Sequence, residues 1–200
     1  YTAVTQEDTP REGIRAMIEL ALQSPDFWYL SAEVRQGTTT LEAHAVASRL
    51  SFALWGMPPD SELRDLADQD ALSTPAQIRT QAERMLEDPR GQAMIRRFHR
   101  EWLHLKSAVG LDKDSDLYPS FGNALARDMD AEFDRFVERV VLERGSIQDL
   151  YSGTQAPVNR RLEELYGLEP ESSGRDDWGL RDHGSRRAGV FAKSLVLASR

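Results

Sequence analysis

An all-α bundle of roughly eight to ten helices, without a significant sheet, is the fold this sequence predicts, and three observations predict it. Apolar residues recur at helical spacing in nearly every segment, and alternating strand patterns are almost absent. Pro stands four times where such a segment begins, at Pro10, Pro25, Pro75 and Pro89.

The first helix opens at Thr9-Pro10-Arg11-Glu12, which supplies an N-cap hydroxyl, a Pro whose missing N–H costs nothing there, and a Glu that reaches back. Ile14, Met17, Ile18, Ala21 and Leu22 then share a face. Ser24-Pro25 ends it and starts a short aromatic helix over 27–34. The stripe Ala43, Val46, Ala47, Leu50, Ala53 and Leu54 stops at Gly56, suited to a left-handed C-cap. Pro58 and Pro59 forbid continuation, and Asp60 caps a helix carrying Leu63, Leu66 and Ala67. With Leu50, Leu54 and Trp55 as anchors, 49–67 reads as a packed helix corner.

Thr74-Pro75-Ala76-Gln77 repeats the capping device ahead of Ile78, Ala82, Met85 and Leu86. Asp88-Pro89 starts a helix with Met94, Phe98, Trp102 and Leu105 inward. A polar loop over 107–120 leads to the longest helix, 122–144, whose apolar face holds Leu125, Met129, Phe133, Phe136, Val137, Val140 and Val141. Gly145-Ser146 stops it and caps a short helix through Tyr151. The spacing predicts a helix over 157–166, an irregular Gly-rich connection over 168–184 and a last helix over 186–199.

Two hundred residues, 40% of them hydrophobic, can bury a core. The 33 acidic residues outnumber the 25 basic ones for a net charge of -8, so the surface repels phosphate backbones and nucleic acid is excluded as a partner. No apolar run approaches the ~20 residues of a membrane span. The absence of Cys excludes disulfides, thiolate catalysis, cysteine zinc sites and covalently attached haem within these residues. A chain that begins at Tyr1, with no signal-like region, reads as a piece of a longer protein.

Several clusters invite a chemical reading. His99 and His104 lie five apart, outside the HExxH pattern, and with His44 and His183 isolated they read as helix-surface histidines in preference to metal or haem ligands. Asp112, Asp114 and Asp116 alternate in a loop as calcium ligands do, although Leu117 and Asn123 replace the Gly and Glu of an EF-hand. The alternatives are a calcium site and a solvated acidic loop. Asp128, Glu132 and Asp134 suggest acid/base chemistry, against surface pairing with Arg127, Arg135 and Arg139. Glu132 borders the apolar stripe, as Arg49 and Arg84 border theirs, so an internal bridge from Glu132 to one of these arginines is expected. Ser51 lacks a GxSxG context and reads as a small hydroxyl at a helix contact.

Arg49-Leu50-Ser51-Phe52 with Leu54-Trp55, Pro59-Asp60 with Leu63, Arg84-Met85-Leu86 with Asp88 and Arg90, Phe98, and Trp102-Leu103 form a recognisable set. Leu117-Tyr118-Pro119 with Phe121, Met129 with Glu132, and Asn159 with Leu162, Tyr166 and Gly167 continue it. The set resembles the Planctomycete-specific domain 4 family, domain of unknown function 1592. Leu22, Ser24-Pro25, Phe27 and Glu33 resemble the end of family 1595, and Arg187, Gly189-Val190 and Leu197-Ala198-Ser199 the start of family 1588, with Phe191-Ala192-Lys193 departing from that pattern. The resemblance implies the end of a preceding helical domain over 1–36, a main helical domain over 37–168, and a linker and start of a following domain over 169–200. It implies no activity. It does imply a large periplasmic or secreted bacterial protein, often with cytochrome c-like segments elsewhere in the chain, where any haem c would sit. The expected role is a non-catalytic scaffold or interaction module whose partners are other domains of the same protein or exported proteins. The alternatives are an enzyme segment acting on an extracellular polymer such as polysaccharide, which needs carboxylates about 5 to 9.5 Å apart, and a calcium-stabilised adhesion domain.

Overall fold

The computed structural model describes residues 10–29, 37, 40–143 and 145–199, apart from the side chains of Asp26 and Ser185. It is predominantly α-helical and divides into two compact units, Tyr1–Met85 and Leu86–Arg200. The division falls inside the segment 37–168 expected to form one domain.

The first unit contains α1 (Pro10–Gln23), α2 (Pro25–Trp28), α3 (Ala43–Trp55), α4 (Ser61–Asp68) and α5 (Pro75–Glu87). α1 begins at Pro10, while its expected N-cap Thr9 lies outside the described residues; none of its residues is buried, and Ile14, Met17 and Ile18 are exposed. The expected aromatic helix ends at Trp28, and 30–36 lies outside the described residues. The corner between α3 and α4 forms as expected: Gly56 takes the left-handed conformation at φ 69°, and the Asp60 carboxylate accepts from Leu63 N at 3.0 Å. Ser51 is buried and donates Oγ to the Met57 carbonyl at 2.8 Å, which ties the turn to α3.

Ala43, Ala47, Trp55, Leu63, Ala67, Leu72 and Met85 form this unit's core. Trp55 Nε1 donates to the Met85 carbonyl at 2.9 Å, so the largest of these side chains also satisfies its polar atom. Ala53, placed in the stripe from spacing, is exposed; the buried face of α3 runs instead through Ala43, Ala47, Ser51 and Trp55, four residues apart.

The second unit is built around α7 (Asn123–Leu142), with α6 (Pro89–Trp102), α8 (Ile147–Ser152), β1 (Gln155–Val158), α9 (Arg160–Tyr166), β2 (Gly179–Asp182) and α10 (Ser194–Ala198). α7 buries Leu125, Met129, Phe133, Phe136, Val137 and Val140, and Val141 is exposed. Ser146 and Asp149 form a reciprocal capping box at the start of α8.

Three expectations fail here. α6 buries Gly91, Ile95 and His99, and leaves Phe98 and Trp102 exposed. The stripe four residues apart through Gly91, Ile95 and His99 wins over the neighbouring aromatic one. Pro157 belongs to no helix: β1 pairs antiparallel with β2, Pro157 opposite Leu180, and the helix starts only after Asn159 caps Leu162 N at 3.1 Å. A two-stranded sheet is all edge, so Pro is tolerated in it. The last helix is likewise broken into two 3-10 turns, Ser185–Arg187 and Val190–Ala192, and the five-residue α10. Gly189 breaks it, because it adopts φ 69° and lies so close to the Tyr151 carbonyl that a Cβ would collide.

Candidate functional site

The second unit buries ionisable groups at the meeting of α7, α9 and α10. Glu132, in mid-α7, is 0% exposed. Tyr166, the last residue of α9, brings its hydroxyl to 2.7 and 2.6 Å from Glu132 Oε1 and Oε2. Ser194, the first residue of α10, donates Oγ to Oε2 at 2.6 Å, and its backbone N lies 3.4 Å from the same oxygen. Burial pushes the Glu132 carboxyl above its ordinary value, while the Ser194 and Tyr166 hydrogen bonds and the positive charge of Lys193 oppose the rise. Burial and the Glu132 charge push Tyr166 upward as well, which keeps its hydroxyl a donor.

Lys193 is also 0% exposed; its Nζ lies 4.5 Å from the Phe136 ring centroid and donates to the Arg187 carbonyl at 3.3 Å. Burial lowers its pKa and Glu132 resists that shift. His183 packs edge-on against Tyr166, with centroids 4.8 Å apart, and both of its ring nitrogens are buried without partners. Burial, then Lys193 and Arg187, lowers its pKa to about 4, so the ring is neutral at pH 7. A cleft of about 490 Å³ opens beside this network, with Tyr166 and Ser194 in its wall.

Around the network, α7's other carboxylates are paired. Asp128 meets Arg161, Asp130 and Asp134 meet Arg100, and Glu138 meets Arg96. A second buried carboxylate, Glu163, accepts from Arg181 Nη1 at 2.7 Å and from the backbone of Glu171 and Ser172. Asn159 Nδ2 donates to the Arg175 carbonyl at 2.8 Å. Together they fasten the irregular 168–178 connection onto α9.

Glu132 is therefore internal, as its position beside the stripe predicts, but its hydrogen-bond partners are Tyr166 and Ser194 in place of an arginine. Arg84 engages Asp60 at 2.9 Å and Glu62 at 3.3 Å within the first unit, where it also faces the Trp55 ring, and Arg49 is exposed. The acidic loop gathers no cation cage. Asp112, Asp114 and Asp116 are exposed, Asp114 accepts from Asp116 N at 2.8 Å, and no group of three potential metal ligands converges among the described residues. Of the histidines, His44 lies 3.1 Å from Asp68 and His104 is exposed. His99, expected at the surface, is buried with Nδ1 2.8 Å from the Ile95 carbonyl, because the buried stripe of α6 runs through it.

Sequence reasoning missed Lys193, Ser194 and His183 as members of one cluster. Tyr166 was visible in the family pattern, and Lys193 as a departure from the flanking one. The signal available was a Lys beside a Ser in an otherwise apolar segment, Val190 to Leu197.

The fold and the network define a helical protein whose long central helix is tied to its neighbours by buried polar groups. More specifically, the chain belongs to the PSD4 family, Protein of unknown function (DUF1592), whose model matches residues 41–168. Glu132 and Tyr166 lie within the matched segment; His183, Lys193 and Ser194 lie beyond it. No curated protein and no solved structure matches the chain.

Proposed function

We propose that this chain is a non-catalytic helical scaffold or interaction module of a large exported bacterial protein. It works beside other domains of that protein or exported partners, including cytochrome c-like domains that carry haem c. The observation that carries this reading is the commitment of α7's buried and half-buried carboxylates to internal partners: Glu132 to Tyr166 and Ser194, Asp128 to Arg161, Asp134 to Arg100. Acid/base catalysis needs a carboxyl within hydrogen-bond reach of a substrate proton, and each of these is engaged by the protein itself. Export and haem-bearing neighbours rest on the family resemblance.

The test pairs two assays of the full chain. Neighbouring domains of the parent protein, produced separately, are titrated against it by calorimetry, and a panel of polysaccharides is incubated with it. Saturable domain binding without turnover supports the scaffold. Polysaccharide turnover that Glu132→Gln or Asp128→Asn abolishes while the helical circular dichroism persists overturns it in favour of an enzyme.

A further inference from the structure

Two clefts flank Tyr166. One, of about 490 Å³, is walled mostly by apolar side chains, among them Phe121, Leu125, Met129 and Leu165. The other, of about 480 Å³, is lined by Gly167, Leu168, His183 and Arg186. Tyr166, Arg187 and Leu197 line both, so Arg187 stands between the two spaces. Each volume falls in the range of about 300–1,000 Å³ occupied by small ligands.

Arg187 is held in place without being neutralised. Its guanidinium lies 4.5 Å from the Tyr166 ring centroid, and Tyr166 is itself fixed by Glu132. Among the described residues neither Arg186 nor Arg187 has a carboxylate partner. The α7 carboxylates other than Glu132 are engaged by other arginines, Asp128 by Arg161, Asp130 and Asp134 by Arg100, and Glu138 by Arg96. An oriented guanidinium with its donors unused is suited to a planar, bidentate anion. The apolar cleft alongside offers no second polar anchor of comparable strength, because Lys113 Nζ is already bonded to the Ala198 carbonyl at 2.8 Å.

We infer that the paired clefts bind an amphipathic carboxylate of the free fatty acid type, with its head on Arg187, supported by the charge of Arg186, and its apolar chain along Leu125, Met129 and Leu165. This goes beyond the scaffold reading and requires no chemistry at Glu132. The buried carboxylate stands behind Tyr166 and Ser194, facing the charge of Lys193, so it presents no free anion to the ligand head.

The probe is decanoate, titrated into the full chain by calorimetry, with 1-decanol as its neutral counterpart. The expected result is saturable decanoate binding that Arg187→Gln weakens by about tenfold or more, the loss of a charge-assisted contact, with decanol binding weaker and indifferent to that substitution. Ala198→Trp, which places a bulky side chain in the wall of the apolar cleft, abolishes binding of both, with retained helical circular dichroism as the check on its folding. Absence of saturable decanoate binding at millimolar concentration overturns the inference, as does equal binding of decanol with no effect of Arg187→Gln.

Discussion

The two units solve the same packing problem with different materials. In the first, small and aliphatic side chains close around Trp55, and its charged pairs, Arg84 with Asp60 and Glu62, stand at the partly exposed rim. In the second, aliphatic and aromatic side chains share the interior with Glu132, Glu163, Lys193 and Asn159, all 0% exposed. A rim pair contributes little and is screened by solvent. A buried carboxylate costs several kcal/mol to desolvate, so removing one partner of a buried set is more damaging than removing a rim charge. The difference teaches where the chain is fragile: α3, α4 and α5 depend on shape, whereas α7, α9 and α10 depend on completed polar bonds.

The sharpest way to break this contrast is Glu132→Ala. It strands the Tyr166 and Ser194 hydroxyls and leaves Lys193 buried without its counter-charge, so the second unit is expected to lose about 3–5 kcal/mol. Hydrogen exchange in α7 and α9 checks this, and amides of α3 and α4 serve as the reference. Asp60→Ala is the corresponding insult to the first unit. It removes an N-cap and a rim partner of Arg84, for an expected loss of about 1–2 kcal/mol in urea unfolding.

The smallest expected effect concerns His183. Its folded pKa, about 4, lies below the unfolded value of 6.5, so between these limits the unfolded chain binds more protons and stability falls as pH falls. His183→Asn should flatten that part of the stability profile by about 1 kcal/mol, solvent screening having reduced what the full shift implies. Urea midpoints measured from pH 7 to pH 4 in both proteins decide it.

What the sequence discloses follows the range of the interaction. Gly56, Asp60, Thr74, Asp88 and Ser146 were legible as caps because each acts within a few residues, and the long helix was legible from its apolar period. The internal placement of Glu132 was also legible from its position at the margin of a stripe. Its partners were not, since Tyr166 and Ser194 stand 34 and 62 residues further along the chain. The strands β1 and β2 escaped because each has four residues and one contains Pro157, which leaves no alternation to read. On α6, two candidate stripes lay one residue apart, and the one with more aromatics was the exposed one. Trp102 instead joins Tyr151 and Phe191 in a group of exposed rings with centroids 5.8 to 6.5 Å apart.

Carbon-13 NMR titration of the Glu132 carboxyl, in wild type and in Ser194→Ala, tests most directly whether this group is the buried acceptor that binds α7 to α9 and α10. The account predicts a wild-type midpoint above the ordinary glutamate range, because burial outweighs the hydrogen bonds, and a further rise when the Ser194 hydroxyl is removed. A midpoint at or below the ordinary value, unchanged in Ser194→Ala, would show a solvated carboxylate and contradict it.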